Sequence, residues 1–284
     1  MCARFAAMAS PCELLIDNCD QTIAYQLASL AYRETKRIEQ KFSRYLSGNL
    51  MSQINNSNSR PVGIDEETYR LLVFATTCFE LSEGLFDISS GVLRRVWKFD
   101  GSDLVPTAAQ VAALLPFIGW QKVVYNKDSI TLPTGFELDF GGIGKEYAVD
   151  AVAKLCTKHQ PGLSVLVNFG GDIQVTQPRV NSSSWQIGIE DPNSHKDALT
   201  VLTMKTGGLA TSGDARRFLL KDGIRYSHIL NPTTGYPIIH AARSITVTAN
   251  HCIQAGLLAT LALLQGENAE TFLAAQNVKY WCVR

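Results

Sequence analysis

The chain has 284 residues, of which 46% are hydrophobic and 18% charged, so it is neither disordered nor fibrous and can bury a large core. Lysine and arginine together number 26, as do aspartate and glutamate, and the absence of a long basic run argues against nucleic-acid binding. No stretch approaches the ~18 uninterrupted apolar residues of a membrane span. We therefore expect a globular protein with no nucleic-acid partner and no membrane span.

Seven cysteines are scattered along the chain without a CxxC pair. An odd number in this arrangement favours buried thiols in a reducing compartment over a disulfide framework. The N-terminal segment 1–17 contains one arginine and only a short apolar stretch, which is not typical of a signal peptide. The sequence predicts a cytoplasmic protein, or a periplasmic or membrane-anchored one if a leader has been trimmed.

Hydrophobic periodicity and capping residues predict the elements of the first half. In chain order they are a strand at 12–17, a helix from Asp20 to about Phe42, a loop at 51–61, a helix capped by Asp65 with Val73 and Leu81 on its apolar stripe, a helix near Thr107 and a hairpin at 122–132. The loop is predicted because its segment is rich in asparagine and serine.

The second half begins with a predicted strand end that leads through glycines into a helix at 139–156. Further strands are predicted at 164–169, 185–191, 200–206, 225–231, 244–249 and 278–283, and further helices at 252–265 and 269–276. Helices and short strands that do not alternate strictly predict an α+β fold.

Four glycine-rich turns occur in this half, at 140–145 (FGGIGK), 168–172 (NFGGD), 211–218 (TSGDARRF) and 231–237 (NPTTGYP). Glycines let the backbone approach a ligand closely, and free N–H groups can bind phosphate oxygens. The first turn precedes a helix start, which favours an anion, and Lys145 would oppose the helix dipole unless it faced one. Glycines also make ordinary tight turns, so the spacing alone identifies no ligand.

Three further residues have both a functional and a structural interpretation. His228 is a candidate general acid or base, although a lone histidine near a strand end is often structural. Thr260 lies on an otherwise apolar helix, where threonine usually bonds to its own backbone. Phe86 could stack on an aromatic ligand or fill the core. No residue near Ser212 has the spacing of a hydrolase triad.

Several segments follow the order of the motifs of one known family. They are MASPCEL, FSRYLSGNLMSQIN, EGLFDISSGVLRRVWKF, DFGGIGKEYAVD, VNFGGDI, ATSGD and HILNPTTGYP. The chain resembles the ApbE-type FAD:protein FMN transferases over nearly its whole length. The resemblance implies an α+β fold with short, largely antiparallel strands and packed helices, in a single domain over 1–284.

The resemblance also implies FAD as substrate and Mg²⁺ as cofactor. FMN would pass from FAD to a serine or threonine of an acceptor protein with a D-x-x-[ST]-G-A-[ST]-like motif, and AMP would be released. His228 would act as the acid or base, and Gly142 (carbonyl) and Thr260 (side chain) would bind the metal. The implied FAD-lining residues are Met8, Tyr45, Leu85, Phe86, Asp87, Asp139, Lys145 and Leu230.

Three departures from the family pattern are visible. The last helix of the family reads A-D-A-x-A-T, with the aspartate as metal ligand, and Gly256 stands at that position. Glu146 replaces a glycine, and the segment 228–235 reads HILNPTTG instead of HIxDPRTG. Because residues four apart share a helix face, Gly256→Asp is expected to place a carboxylate beside Thr260 and strengthen Mg²⁺ binding. The alternatives are a non-catalytic FAD-binding protein and an FAD pyrophosphatase.

Overall fold

The computed structural model describes residues 1–192, 194–214, 218–238 and 240–284, with the backbone alone at 195–197. The helices are α1 (Gln21–Phe42), α2 (Leu50–Asn55), α3 (Glu66–Leu81), α4 (Ala108–Ala112), α5 (Gly144–His159), α6 (Cys252–Leu264) and α7 (Ala269–Ala275). The strands are β1 (Cys2–Ala7), β2 (Ser10–Ile16), β3 (Val62–Gly63), β4 (Val124–Tyr125), β5 (Ser129–Thr131), β6 (Val165–Phe169), β7 (Asp172–Val175), β8 (Trp185–Asp191), β9 (Ser194–Met204), β10 (Gly207–Gly213), β11 (Phe218–Lys221), β12 (Ile224–Ser227), β13 (Ser244–Ala249) and β14 (Tyr280–Val283). The α+β fold is confirmed.

The main sheet has seven strands in the order β1-β2-β6-β7-β10-β13-β14. Every neighbouring pair in this sheet is antiparallel. Three smaller antiparallel sheets pair β3-β5-β4, β8 with β9, and β11 with β12. The strands are therefore short and antiparallel, as expected.

Helices α1, α5 and α6 pack side by side against the main sheet. Helix α1 contacts β1, α5 contacts β6 and β7, and α6 contacts β10 and β13, and each helix also contacts the next. Their buried apolar side chains form the core with the strands, because each helix turns an apolar face to the sheet. No helix in the described ranges is both long and apolar enough to cross a membrane.

The predicted caps explain where three helices begin. The side chain of Asp20 accepts a hydrogen bond from the backbone N–H of Ile23 at 2.8 Å. Asp65 does the same for α3, and Thr107 forms a reciprocal capping box with Gln110 at the start of α4. Such a cap satisfies one of the free N–H groups at a helix start. These starts were predicted correctly.

Three local predictions were wrong. All of α2 but its first residue lies in the segment expected to be a loop, and this helix is capped by Asn49 and buries Met51 and Ile54. No strand precedes α5, where residues 137–143 are irregular or turn. On α3, Val73 and Leu81 are exposed, because the buried face runs through other residues. In each case the burial of side chains in the tertiary structure and their hydrogen bonds outweighed the local composition.

Candidate functional site

The conformation of the glycine turn before α5 is stabilised by Asp139, an aspartate within the same turn. The Asp139 carboxylate accepts the backbone N–H of Gly141 at 2.8 Å and lies 3.3 Å from an Nη1 nitrogen of Arg44. A Cβ added to Gly142 would come within 3.0 Å of the Phe86 ring, so the turn packs directly on this aromatic side chain. Helix α5 begins after Ile143 without a side-chain cap. The N–H of Gly144, the first residue of α5, donates to the Phe140 carbonyl at 2.7 Å, so the N–H groups that remain for a ligand or solvent are those of the next residues of the first turn.

Lys145 forms an ion pair with a buried aspartate. Its Nζ lies 2.7 Å from Oδ2 of Asp172, the first residue of β7, whose side chain is 2% exposed. Burial alone would lower the pKa of Lys145, but the carboxylates of Asp172 and Glu146 outweigh it and raise that pKa above its usual value. Burial raises the pKa of Asp172, and Lys145 opposes that rise. The pair holds the start of α5 against the sheet.

Glu146 is buried in the first turn of α5 and faces helix α6. A Cβ added to Gly256 would lie 2.7 Å from the Cγ and 2.9 Å from the Oε1 of Glu146. The other carboxylate oxygen, Oε2, has no hydrogen-bond partner among the described residues. Burial, with Asp172 nearby, raises the pKa of Glu146. The glutamate side chain thus occupies the space that a side chain at position 256 would need.

Asp150, the last residue of DFGGIGKEYAVD, fixes α6 against α5. Its carboxylate oxygens accept the backbone N–H groups of Cys252 and Ile253, each at 3.0 Å. Burial raises the pKa of Asp150, and the two N–H bonds oppose the rise. This contact caps the start of α6 and therefore sets which α6 residues face α5.

Hydrogen bonds extend the cluster from the α5 start to β10 and α6. The Oδ1 of Asp172 accepts the backbone N–H of Thr211 at 3.3 Å, and the hydroxyls of Ser212 and Thr260 lie 2.9 Å apart. Asp214, two residues after Ser212, forms ion pairs with the guanidinium groups of Arg225 and Arg243. The remainder of the TSGDARRF segment at 215–217 lies outside the described residues. Segments 139–150, 168–172, 211–214 and 252–264 therefore meet in one cluster.

The predicted FAD-lining residues near Phe86 differ in their exposure. Phe86 is buried, Leu85 is partly buried against the core, and Tyr45 is 78% exposed with the Arg44 guanidinium 5.8 Å from its ring. The Asp87 carboxylate accepts three hydrogen bonds, from the N–H and hydroxyl of Ser89 and from the N–H of Trp120. Burial raises the pKa of Asp87, and these bonds oppose the rise. The structure shows a structural task for Asp87, and its contact with FAD stays a prediction.

Met8 occupies the turn between β1 and β2 with φ of 51°, and its N–H donates to Glu39 at 2.6 Å. His228 lies just after β12. Its ring is edge-on to the Phe99 ring, and the two ring centroids are 6.2 Å apart. Leu230 forms an isolated bridge with Pro237 across the NPTTGYP turn. The Asn231 side chain accepts the N–H groups of the next turn residues, so this departure from the family aspartate still stabilises the turn.

The donor atoms of the cluster suit a hard divalent cation. Mg²⁺ prefers carboxylate, carbonyl and hydroxyl oxygens and retains several waters. The unpartnered Oε2 of Glu146 is such a donor, as are the predicted Gly142 carbonyl and Thr260 hydroxyl. Within the described ranges, no group of three or more His, Cys, Asp and Glu side chains is arranged to hold a metal. A metal held by the Glu146, Gly142 and Thr260 oxygens would therefore have a mixed set of protein donors.

Sequence reasoning gave no role to four residues of this cluster, which are Glu146, Asp150, Asp172 and Ser212. Asp172 and Ser212 belong to motifs that were recognised, so the motifs themselves were the signal. Glu146 and Gly256 were noted only as separate departures. Their contact was not deducible without the packing of α5 on α6.

A protein-family model described as the ApbE family matches residues 8–282. The chain is 29% identical over 252 residues to an FAD:protein FMN transferase of Vibrio cholerae, which covers 86% of this chain and 75% of that protein. A protein of the same name from Haemophilus influenzae is 28% identical over 254 residues, covering 85% and 73%. The ApbE crystal structure from Thermotoga maritima has a TM-score of 0.91 and 28% identity, covering 99% of this chain and 93% of that one. The flavin transferase ApbE of Vibrio cholerae has a TM-score of 0.85 and 25% identity, with the same coverage of 99% and 93%. The chain belongs to the ApbE family.

Proposed function

We propose that the chain is an FAD:protein FMN transferase, working as one domain over residues 1–284. It transfers FMN from FAD to a serine or threonine hydroxyl of an acceptor protein and releases AMP. Family membership over residues 8–282 supports the reaction class. The observation that carries the assignment is the meeting of four separate motif segments in one cluster, joined by the Lys145–Asp172 and Ser212–Thr260 contacts. A tight turn alone would not require such convergence.

In the proposed reaction the acceptor hydroxyl oxygen bonds to the phosphorus of the FMN half. The bond from that phosphorus to the bridging oxygen breaks, and AMP leaves with the bridging oxygen. His228 accepts the hydroxyl proton on a ring nitrogen. Lys145 and the N-terminal end of α5 attract the pyrophosphate, because both supply positive charge at one place.

The flavin and the adenosine are proposed to lie along the residues that the family motifs indicate. Phe86 supports this location, since its ring packs on the glycine turn that leads to Lys145. The predicted partners on the protein are Met8, Tyr45, Leu85, Phe86, Asp87, Asp139 and Leu230. The Gly142 carbonyl and the Thr260 hydroxyl are proposed to hold Mg²⁺. When bound, Mg²⁺ would stabilise the charge that develops on the phosphate oxygens.

The test is a flavinylation assay with the purified chain. FAD, MgCl₂ and an acceptor that carries a D-x-x-[ST]-G-A-[ST] segment are incubated together, and AMP is measured by chromatography. We expect flavin fluorescence on the acceptor that survives a denaturing gel, in step with the AMP released. An acceptor with its final serine or threonine replaced by alanine or valine is the matched control and stays unlabelled.

Two other outcomes contradict the proposal. Free FMN and AMP without a labelled acceptor would show an FAD pyrophosphatase, in which water replaces the acceptor hydroxyl. Tight binding of FAD with neither product would show a non-catalytic flavin-binding protein.

His228→Asn gives a second check on the active enzyme, since loss of the proposed base should lower labelling about 100-fold or more.

A further inference from the structure

The α5–α6 interface contains a buried carboxylate with an unsatisfied oxygen. Glu146 is 7% exposed, and its Oε2 has no hydrogen-bond partner within the described part of the chain. Leaving a buried carboxylate oxygen unpaired is costly, so native structures nearly always provide a partner. The oxygen is therefore a candidate for binding a group that is not part of the chain.

The charges around Glu146 favour a cation as that group. Asp172 is also buried, and Lys145 is its ion-pair partner at 2.7 Å. Asp150 lies one turn along α5 from Glu146, and its two oxygens are bound by the start of α6. The acidic side chains of this cluster thus outnumber the lysine. A divalent cation would stabilise the ionised carboxylates and would fill the open position on Oε2.

Because residue 256 is a glycine, the Glu146 carboxylate of α5 has room at the α5–α6 interface. Glu146 reaches across to α6 and fills the space where a Cβ at 256 would lie, within 2.7 Å of its Cγ. The Thr260 side chain lies one turn further along the same face of α6, where it contacts Ser212. A carboxylate carried by α5 therefore enters the interface at the level that an α6 side chain would otherwise occupy.

We propose that Glu146 supplies the carboxylate ligand of the divalent metal, in place of a carboxylate on α6. The inference rests on the proposed function, because the metal is part of that proposal. The metal site then keeps one carboxylate, carried by α5 and facing Gly256. The sequence-based expectation for Gly256→Asp changes accordingly. A Cβ at position 256 would lie 2.7 Å from the Glu146 Cγ, so an aspartate there would force the Glu146 side chain to move, and it would add a second negative charge.

The test measures metal binding directly, with Mn²⁺ as the probe and the fall of the free Mn²⁺ signal in electron paramagnetic resonance as the readout. The full chain is titrated with and without saturating FAD. Glu146→Gln keeps the size of the side chain but removes its charge, and we expect it to weaken Mn²⁺ binding at least 10-fold. Glu66→Gln, at an exposed carboxylate on α3, is the control and should leave the affinity within 2-fold.

The reciprocal exchange gives the sharper result. Gly256→Asp alone should bind Mn²⁺ no more tightly than the unmodified chain. The double variant Glu146→Gly/Gly256→Asp carries one carboxylate on α6 instead of on α5. Its affinity for Mn²⁺ should lie within about 3-fold of that of the unmodified chain. Thermal melting of each variant confirms that it is folded before the titration.

An unchanged Mn²⁺ affinity in Glu146→Gln overturns the proposal, as does an unmodified chain that binds no Mn²⁺ in either condition. Tighter Mn²⁺ binding by Gly256→Asp than by the unmodified chain would also overturn the proposal. The flavinylation assay separates this result from the proposed function. Acceptor labelling together with an unchanged Glu146→Gln affinity leaves the function intact and removes Glu146 from the metal. Weakened Mn²⁺ binding without labelling supports the ligand and rejects the transferase.

Discussion

At the scale of single residues, the Lys145–Asp172 pair offers a test of stability that is separate from catalysis. Replacing Lys145 by methionine leaves the buried Asp172 carboxylate without its cation, which should lower the free energy of unfolding by about 2 kcal/mol. Adding Asp172→Asn removes the uncompensated charge, so the double variant should be more stable than Lys145→Met alone. Urea unfolding at pH 7 measures both. Equal midpoints for the single and double variants would contradict the pairing.

Residue-level prediction from sequence was limited by context. Lys145 and Thr260 were selected by their motifs, and the structure brings them into one cluster. Glu146 was noted in the sequence only as a departure from the family pattern, in a first helical turn where an acidic residue favours the helix dipole. Its burial depends on the approach of α6, and that approach depends on the Asp150 cap and on a glycine at 256. Neither long-range contact is encoded in the local pattern.

At the scale of elements, helices α1, α3 and α5 are tied together by one carboxylate. Glu67 of α3 accepts hydrogen bonds from Arg37 and Lys41 of α1 and from the hydroxyl of Tyr147 of α5. The hydrogen bonds from Arg37, followed by those from Lys41 and Tyr147, lower the pKa of Glu67 from 4.5 to about 2 against the opposing effect of burial. The folded state therefore holds this group ionised more strongly than the unfolded chain does.

This shift predicts how stability depends on acid. Because the folded pKa lies below the unfolded one, the stabilisation is fully present above pH 4.5 and is lost as the pH falls towards 2. We expect Glu67→Gln to lower the free energy of unfolding by about 1 kcal/mol at pH 7 and by much less near pH 2.5. Urea unfolding at the two pH values measures the difference. Glu66→Gln is the control, and an equal pH response in both variants would refute the assignment.

Most elements were predictable because their signals are local. The Asp20, Asp65 and Thr107 caps mark helix starts, and the apolar run of α6 marks a buried helix. Helix α2 was missed because two buried side chains, Met51 and Ile54, stabilise a six-residue helix that composition disfavours. The irregular backbone before α5 was taken for a strand because its apolar residues are buried without entering the sheet.

At the scale of the whole molecule, β14 closes one edge of the main sheet. It pairs with β13, and Arg284 beyond it forms an ion pair with Glu270 of α7. Ending the chain after Val278 would expose the buried strand β13 as an edge, so we expect a thermal midpoint lower by about 5–10 °C and a tendency to associate.

Melting followed by circular dichroism, together with size-exclusion chromatography, measures both effects. Arg284→Ala removes the ion pair but keeps the strand, and it should shift the midpoint by less than about 2 °C. A shortened chain that melts like the full one and elutes as one sharp species would show that β14 adds nothing to the sheet.

The strand order β1-β2-β6-β7-β10-β13-β14 also has a consequence during synthesis. A ribosome releases the N-terminal residues first, so the segments of the cluster become available in chain order. Helix α5 and β7 emerge well before α6, so Lys145 and Asp172 can pair while Thr260 is still to be made. The nascent chain therefore contains the anion-attracting half of the cluster early, but it acquires the α6 half only once Cys252–Leu264 has been translated.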